Sequence, residues 1–392
     1  MDQLCQHFTT PPFNSALIFE LTSASPHQVL DVAAGQGSLA LAAKYRYQNA
    51  HVTTLEINSK SRSYLRGVMP DSTHLLANLL KLKIPAAVRR LVETADLVLC
   101  NPPFRATESE TSPALLREAE MPTDWPLLLR QRAEVAFLAH NLRMLKQGGE
   151  LGMFLPSSFM TGHKFEPFRE WLMNCLTVEK VIGFPTFAFG GTQAKAYALI
   201  ARKLSPSAGQ RTTLLELDFD GFHRGKAIVG RKDAIMRLDA AFHLERKQQT
   251  AGLTLGKIGA ILSRGLPVQE LQAGRHAYFH TTDFKTSGQQ RAFGELSQNS
   301  FKLPLAHAGD FLLGRVGRAC HTQVLYVKSG SIPFSDCVYR LRVPREMREA
   351  VRLSLFSKAG MQWRHSRMHG VGAAVLSKRD LLEHPIWLRG AP

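Results

Sequence analysis

The sequence Leu-Val-Leu-Cys-Asn-Pro-Pro-Phe at residues 97–104 combines a short apolar run with an abrupt stop. Four consecutive apolar residues, 97–100, are typical of a strand buried inside a parallel sheet. Pro102 and Pro103 lack backbone N–H donors and have a fixed φ, so the chain cannot continue beyond them as a central strand. We therefore predict a stiff corner at the carboxyl end of a strand, where open α/β sheets bind their ligands.

The groups at this corner suit a flat substrate that carries an amino group. The Asn101 amide and the Pro102 carbonyl can each accept a hydrogen bond from an exocyclic amine, and the Phe104 ring can stack on a planar base. The alternative for the tetrapeptide alone is an Asn-Pro turn without any chemistry. The motifs that surround it in the sequence favour the functional interpretation.

A glycine-bearing turn precedes this corner at residues 31–37, Asp-Val-Ala-Ala-Gly-Gln-Gly, between a predicted strand and a predicted helix. Gly35 and Gly37 allow a tight turn and a close approach of the backbone to a ligand. Ala40 occupies the place of the third glycine of a dinucleotide fingerprint, so a pyrophosphate ligand is less favoured. Glu56 lies 19 residues beyond Gly37 at the end of the next predicted strand, where a carboxylate can accept both hydroxyls of a ribose. The alternative for Glu56 is a solvated acid, but the two features together predict a nucleoside site.

Strands and helices alternate along the first 200 residues. The apolar pattern predicts strands at 29–32, 51–56, 74–76, 97–100 and 150–155, helices at 15–23, 38–45, 59–68, 127–146 and 165–175, and a strand pair at 178–183 and 194–203. This α/β pattern predicts a Rossmann-like, doubly wound, mostly parallel sheet with an antiparallel edge hairpin. Because the composition near 205–210 is that of a linker, we predict a catalytic domain over 1–205, a connecting segment over 206–250 and a second domain over 251–392.

Positive charge is concentrated in the second half of the chain. Residues 201–392 carry 30 Lys and Arg against 15 Asp and Glu, whereas residues 1–200 carry 19 against 17. This asymmetry predicts a catalytic domain joined to a domain that binds a polyanion such as nucleic acid; the alternative is a basic soluble surface without a partner. The five cysteines form no Cys-x-x-Cys pair, so we predict neither a metal site nor a disulfide framework.

The order of these motifs resembles that of the gamma-class DNA adenine-N6 methyltransferases, class I enzymes that use S-adenosylmethionine. In that family a Phe/Tyr-Thr-Pro segment precedes the glycine turn, and Phe8, Thr10 and Pro11 match it with one threonine more than usual. Val32 stands where the family usually has proline, and Asn78 where it usually has aspartate. The resemblance covers residues 8–203 and assigns cofactor binding to Phe8, Thr10, Pro11, Asp31, Ala33, Gly35, Gly37, Glu56, Ile57 and Asn78.

The same resemblance implies methyl transfer to the N6 amine of an adenine that is flipped out of the duplex. It assigns catalysis to the corner residues Asn101, Pro102, Pro103 and Phe104. It also implies a second aromatic ring on the other face of the base, just before the edge hairpin, with Phe189 as first candidate and Phe187 as second. The alternative is that these phenylalanines belong to the apolar core.

Three segments of the basic half are similar to the target-recognition domains of these methyltransferases and of type I specificity subunits. They occur in the expected order at residues 254–265, 308–317 and 375–381. The resemblance implies a mixed α+β target-recognition domain; the alternative is a generic β-rich domain. Arginines in turn-like surroundings can enter a DNA groove, and we assign substrate contacts to Arg264, Arg315, Arg318, Arg364 and Arg367.

The leading hypothesis is a site-specific adenine methyltransferase acting on double-stranded DNA, in the bacterial cytoplasm and associated with the nucleoid. Two alternatives remain open: an RNA base methyltransferase, because Asn-Pro-Pro-Phe also occurs in enzymes that modify ribosomal RNA, and a non-catalytic specificity module. No nuclease motif is apparent, so the chain is either a stand-alone methylase or the partner of a separate restriction endonuclease. A palindromic recognition site would favour a homodimer. Neither an apolar span nor a secretory pattern is present, so no membrane partner is expected.

Overall fold

The computed structural model describes most of the chain, namely residues 11–81, 84–185, 195–248, 252–285, 289–294, 303–369 and 374–387. The chain divides into two compact units, Met1–Leu244 and Glu245–Pro392. None of the helices in the described ranges has the length and apolar character that crossing a bilayer requires. Four of the predicted site residues lie outside the described residues, namely Phe8, Thr10, Phe187 and Phe189.

Among the described residues, a nine-stranded sheet forms the centre of the first unit. Its strands are β1 (Gln28–Val32), β2 (His51–Glu56), β3 (Thr73–Leu76), β4 (Ala95–Cys100), β5 (Leu145–Pro156), β6 (Thr177–Gly183), β7 (Ala196–Arg202), β8 (Arg211–Leu217) and β9 (His223–Gly230). The accompanying helices are α1 (Pro11–Glu20), α2 (Ser38–Arg46), α3 (Ser59–Val68), α4 (Ala86–Arg89), α5 (Pro113–Glu118), α6 (Leu127–Arg130), α7 (Ala133–Met144), α8 (Ser157–Thr161), α9 (Glu166–Cys175) and α10 (Arg231–Met236). A further helix, α11 (Ala240–Gln248), contains the boundary between the two units.

The strands of this sheet lie in the order β3–β2–β1–β4–β5–β7–β6–β8–β9. Strands β1 to β5 run parallel to their neighbours among themselves, whereas β7 is antiparallel to both β5 and β6. The order reverses between β1 and β4, which makes this the switch point at which open sheets of this kind bind ligands. The predicted Rossmann-like, doubly wound sheet with an antiparallel edge hairpin is confirmed.

Helices cover both faces of the sheet, and each face has its own apolar layer. Leu97 and Leu99 of β4 enter the layer that also contains Leu17 of α1. Val98 and Cys100 enter the opposite layer, to which α7 and α9 contribute. The four consecutive apolar residues of β4 are all inaccessible to solvent because alternate side chains fill both layers.

Two expectations for the first unit differ from the structure. The segment predicted as a connection, 206–250, supplies β8, which pairs in parallel with β6, and β9, which pairs antiparallel with β8. The first unit accordingly ends at Leu244 rather than near residue 205, because the linker-like composition marks only the loop between β7 and β8. The single helix predicted at 127–146 is instead α6 followed by α7, and Arg132 between them bridges to Ala106.

The second unit is built from short strands and short helices, as predicted for a mixed α+β domain. Its strands are β10 (Leu253–Thr254), β11 (Ile261–Arg264), β12 (Gln290–Ala292), β13 (Leu305–His307), β14 (Phe311–Gly314), β15 (Val324–Ser329), β16 (Ser331–Pro333), β17 (Val338–Arg342) and β18 (Pro385–Ile386). Its helices are α12 (Val268–Ala273), α13 (Arg348–Phe356), α14 (Lys358–Arg367) and α15 (Lys378–Leu382). Five of the strands form one sheet in the order β11–β17–β14–β15–β12.

The three segments singled out in the basic half meet within this unit. Val316 forms an antiparallel bridge with Val375, and the backbone nitrogen of Leu376 donates to the carbonyl of Arg315 at 2.9 Å. The backbone nitrogen of Gly256 donates to the carbonyl of Leu382 at 2.7 Å. Segments far apart in the sequence therefore form one packed body.

Candidate active site

The strand register brings the predicted motifs to the same edge of the nine-stranded sheet. Val32, the last residue of β1, pairs with Cys100 of β4 on one side and with Leu55 of β2 on the other. All three strands are parallel, so the glycine turn, Glu56 and Asn101 all follow at the carboxyl edge. The central expectation, that the turn and the corner share one edge at the switch point, agrees with this register.

The glycine turn has a backbone that side chains rarely tolerate. Ala33, Gly35 and Gly37 have φ angles of 65°, 56° and 81°, all in the left-handed region that favours glycine. A Cβ on Gly37 would lie 2.3 Å from Leu65 Cδ2, so a larger residue would force the buried Leu65 side chain to move. Ala33 adopts the conformation despite its Cβ, which is the kind of strain that clusters at functional sites.

Glu56 holds this turn in shape. Its Oε2 accepts a hydrogen bond from the backbone nitrogen of Gly35 at 2.7 Å, and its Oε1 accepts one from that of Asn58 at 2.7 Å. The residue is only 7% exposed, so the carboxylate is fixed. Since each carboxylate oxygen has two acceptor positions, the group can still accept two further hydrogen bonds from a diol.

Asn78 and Ile57 lie beside Glu56, after the ends of β3 and β2. The last residue of β2, Glu56, pairs with Leu76 at the end of β3. Asn78 Oδ1 accepts from the backbone nitrogen of Leu80 at 3.0 Å, which orients the amide. Ile57 is exposed and offers an apolar contact at the same edge.

Asp31 is buried in β1 directly before the turn, with 1% of its surface exposed. Its Oδ2 accepts from the backbone nitrogen of Ala40 in α2 at 2.9 Å. Its Oδ1 has no hydrogen-bond partner within the described residues. Burial raises the pKa of Asp31 to about 7, the hydrogen bond from Ala40 lowers it, and repulsion by Glu56 raises it. A cationic ligand would therefore stabilise the ionised form.

These donors and acceptors fit a nucleoside that carries a cationic group. Glu56 can take the ribose hydroxyls, Ile57 and Asn78 can face the base, and the free oxygen of Asp31 can take a positively charged donor. The left-handed backbone at Ala33, Gly35 and Gly37 leaves room for a close approach, and their role in cofactor binding stays a prediction. Pro11, at the start of α1, begins the helix that packs against the same face of the sheet as α2.

The Asn101 corner is rigid and partly accessible. Asn101, Pro103 and Phe104 are half-buried, whereas Pro102 is buried. The Phe104 ring packs against the apolar layer that contains Phe13 and Phe184. Phe104 is thus held against the core, while Asn101 remains partly accessible at the carboxyl edge.

In the second unit, Arg264 and Arg315 converge on Asp336. Arg264 Nη2 donates to Asp336 Oδ2 at 2.6 Å, and Arg315 Nε donates to the Asp336 carbonyl at 2.5 Å. Arg264 and Arg318 are exposed, while Arg315 is partly buried. These three residues remain candidates for contact with a polyanion.

Arg364 and Arg367 correct the sequence-based assignment, because neither is on the surface. Arg364 is fully buried and donates to the carbonyls of His321 at 2.7 Å and Leu355 at 2.9 Å. Burial lowers the pKa of His384 to about 3, with Arg364 adding to the effect, so a neutral imidazole faces Arg364 Nη1 at 3.2 Å. Arg367 is 5% exposed and lies over the Trp363 ring at 4.8 Å. Arg364 thus joins α14 to α13 and to the loop that contains His321.

Sequence reasoning missed Asn14, a buried residue of α1 whose side-chain amide has no hydrogen-bond partner within the described residues. The available signal was its spacing, three residues before Leu17 and four before Ile18, which places a polar residue on the apolar stripe of a helix. Within the described ranges, no three His, Cys, Asp or Glu side chains are grouped to hold a metal ion.

Comparison with known proteins identifies the family of the first unit. Residues 3–226 match the model of the N-6 DNA Methylase family. A Methanocaldococcus jannaschii protein described as a type II restriction enzyme and methyltransferase is 28% identical over 116 residues, which are 30% of this chain and 9% of that protein.

Two solved structures are similar to parts of this chain. The type IIG restriction endonuclease BpuSI aligns over 97% of this chain and 58% of its own, with a TM-score of 0.50 and 11% identity. The methyltransferase subunit of a type I restriction-modification system from Streptococcus thermophilus aligns over 53% of this chain and 46% of its own, with a TM-score of 0.44 and 21% identity. The chain spans less than two thirds of the length of each of these three relatives. The family match covers more than half of the sequence, agrees with the motif order, and shows that the chain belongs to the N-6 DNA methylase family.

Proposed function

We propose that this chain transfers a methyl group from S-adenosylmethionine to the N6 amine of an adenine extruded from duplex DNA. One observation carries the proposal: the pairing of Val32 with Cys100 brings the glycine turn and the Asn101 corner to neighbouring positions at one edge. A methyl donor bound at the first and a base bound at the second would be adjacent. Positioning of this kind is the main task of a protein that uses an already activated methyl group.

S-adenosylmethionine, when bound, supplies a methyl group on a positively charged sulfur. Glu56 would accept the ribose hydroxyls, and Ile57 and Asn78 would contact the cofactor's adenine. Asp31 would face a positive group of the cofactor through Oδ1, which has no partner among the residues that the structure describes. The left-handed turn at Ala33, Gly35 and Gly37 would let the backbone approach closely.

The corner residues would act on the target base. Asn101 and the Pro102 carbonyl would accept hydrogen bonds from the amino group, which concentrates its lone pair and stabilises the positive charge that develops on nitrogen. The methylated amine is acidic, so its proton can leave without a strong base. Extrusion of a base costs a few kcal/mol, and stacking on Phe104, worth about 1–3 kcal/mol, offsets part of that cost.

The second unit would select the DNA site. Arg264, Arg315 and Arg318 are the proposed contacts, and Phe189 or Phe187 would cover the second face of the base. A restriction endonuclease is the proposed functional partner, because the Methanocaldococcus jannaschii relative is described as both restriction enzyme and methyltransferase. Two copies of the chain on a palindromic site are a further proposal.

Transfer of labelled methyl groups to DNA from cells that lack adenine methylation tests the function. Asn101→Ala should lower the rate of N6-methyladenine formation by about 100-fold or more, because a donor–acceptor pair is lost in the transition state. Asn174→Ala, which alters an exposed asparagine of α9, is the matched control and should retain the full rate. Transfer only to RNA, or no labelled adenine with the wild-type protein, would reject the proposal.

A further inference from the structure

A groove on the first unit has a lining that the candidate active site does not use. It lies between the loop that follows β3, the loop that follows the Asn101 corner, and the helices α4, α5 and α7. Its cavity volume is about 810 Å³, within the range of about 300–1,000 Å³ that is usual for ligand-binding clefts. The lining includes neither the glycine turn nor Glu56 nor Asn78. The groove is therefore distinct from the proposed nucleoside site.

The groove runs along α7. Ala136, His140 and Arg143 of this helix line it, and residues spaced by four and three positions lie on one stripe of a helix. At a rise of about 1.5 Å per residue, this stripe is about 10 Å long. The side chain of Ala136 is small and leaves space beside α7. The groove thus has the length to take roughly two turns of a second helix.

Part of the lining is apolar. Leu80, Ile84 and Leu115 are partly buried and pack against the apolar layer on this face of the sheet. Burial lowers the pKa of His140 to about 4, so its imidazole is uncharged at neutral pH, and its Nε2 donates to the carbonyl of Leu79 at 2.9 Å. An occupant of this part of the groove must bring apolar side chains.

The charged part of the lining has an excess of cations. Glu118 pairs with Arg143, at 2.6 Å between Oε2 and Nη2, and Glu110 pairs with Arg130. Three exposed cations of the lining have no ion pair within the described residues, namely Lys81, Arg89 and Arg105. Among the lining acids that the structure describes, Glu108 alone is in the same state. The unpaired charges are therefore mainly positive, and they attract anionic groups.

The acids of the lining favour a peptide over a nucleic acid as the occupant. Glu108, Glu110 and Glu118 would repel the successive phosphates of a nucleic-acid backbone, which carries a negative charge at every nucleotide. An amphipathic helix can place an apolar face in the groove and direct selected carboxylates to the unpaired cations. The net charge of the chain, +17, would also speed the approach of an acidic partner.

We propose that this groove is a docking site for an acidic amphipathic helix of a partner protein. The apolar face of the helix would lie on Leu80, Ile84 and Leu115, and its carboxylates would pair with Arg89 and Arg105. The proposal does not depend on methyl transfer, because neither the glycine turn nor the residues of the Asn101 corner line the groove.

The experiment measures the binding of a labelled probe to the 392-residue chain by fluorescence anisotropy. The probe is a synthetic helix of about 18 residues, with leucines along one face and glutamates along the other. A peptide of the same composition in scrambled order is its control. We expect the wild-type chain to bind the probe with a dissociation constant of about 1–10 μM and the scrambled peptide about tenfold more weakly or less.

Two kinds of variant locate the binding site. Arg89→Glu combined with Arg105→Glu reverses two charges and should weaken the probe by about tenfold or more, whereas Arg66→Glu, at an exposed arginine of α3, is the control. Ala114→Trp, at an exposed lining position of α5, should obstruct the groove and weaken the probe by a similar factor. Ala87→Trp, at an exposed position of α4 outside the lining, is its control. All four proteins should keep the wild-type melting temperature, because every altered side chain is exposed.

Several outcomes would overturn the proposal. One is wild-type affinity of both groove variants, and another is no binding of the probe to the wild-type chain at about 100 μM. Equal affinity for the scrambled peptide would mean that charge alone attracts the probe. Displacement of the probe by duplex DNA would make the groove a nucleic-acid site, and displacement by S-adenosylmethionine would assign it to the cofactor. A chain that binds the probe as expected but methylates no DNA would overturn the proposed function alone.

Discussion

Two buried polar sites, the carboxyl edge of the nine-stranded sheet and the Arg364 side chain of the second unit, differ in how their hydrogen bonds are completed. At the edge, Asp31 and Asn14 are buried with polar atoms that have no partner within the described residues. In the second unit, the equally buried Arg364 donates to the carbonyls of His321 and Leu355. Trp363 Nε1 and His321 Nδ1 near Arg364 also lack partners within the described residues, so an incomplete buried group is not by itself a sign of a ligand site. The contrast teaches that the completed hydrogen bonds of Arg364 give it a structural role, whereas the role of Asp31 has to be argued from its place beside the glycine turn.

The largest effect should come from removing the buried Arg364 side chain, whose hydrogen bonds are complete. Arg364→Leu would leave the His321 and Leu355 carbonyls buried without their donor, so the free energy of unfolding should fall by roughly 2–4 kcal/mol. The measurement is urea unfolding of the full chain followed by a probe in the second unit. Arg318→Ala, at an exposed arginine, is the control and should unfold like the wild type.

Measuring the DNA affinity of the same two variants separates a structural role from a role in DNA contact. We expect Arg318→Ala to weaken DNA binding without a change in stability. An Arg364→Leu protein that unfolds like the wild type but fails to bind DNA would restore Arg364 as a contact residue.

An effect that is smaller for each pH unit is expected at the carboxyl edge, through the pKa of Asp31, which burial raises from 3.8 to about 7. Between these values the folded protein binds the proton more tightly than the unfolded chain, so the contribution of Asp31 to stability falls as pH rises from 4 to 7. The loss is at most about 1.4 kcal/mol per pH unit. Asp31→Asn should remove this part of the slope when unfolding is followed at pH 5, 6 and 7 without ligand.

The control for this pH dependence is Asp71→Asn, which alters an exposed carboxylate and should keep the wild-type slope. If Asp31→Asn and the wild type showed parallel stability curves over this range, Asp31 would be ionised in the folded protein at low pH, and the unpartnered oxygen would have another explanation.

The smallest effect should appear at the surface of the second unit. Arg264 has an exposed side chain paired with Asp336, so its contact with a phosphate would exchange one surface ion pair for another. Arg264→Ala should reduce the slope of log affinity against log salt by about one, with a modest loss of affinity for every DNA sequence. Arg352→Ala, at a residue paired with Glu349 on α13, is the control. An unchanged salt slope with altered sequence preference would instead make Arg264 a base-reading residue.

Local signals in the sequence predicted much of the first unit. β2 and α3 have the predicted bounds, because an apolar strand ends at an acid and Asn58 then caps the helix by accepting from the backbone nitrogens of Lys60 and Ser61. The corner at Asn101 was predictable because two prolines exclude any continuation of the strand. The order of the motifs then gave the family resemblance, and the family match confirms that family.

Other features depend on partners distant in the sequence. β8 and β9 were predicted as a connection, since a loop rich in serine, proline and glycine has the same composition whether it joins two strands or two domains. Arg364 and Arg367 were predicted to lie on the surface. The carbonyls that accept hydrogen bonds from Arg364 belong to residues 9 and 43 positions earlier in the sequence. No local pattern reveals such acceptors.

The order of amino acids alone therefore decided where strands stop, which residues have the chemistry of a nucleoside site, and which family the chain belongs to. These properties depend on the backbone freedom and the side-chain chemistry of residues that are neighbours in the sequence. Tertiary packing alone decided that Val32 and Cys100 pair in register and that Arg364 is enclosed. It also decided that Asn14 and Asp31 keep polar atoms with no partner in the described part of the chain. Register, enclosure and satisfaction of hydrogen bonds are relations between distant segments, and they exist only once those segments have packed together.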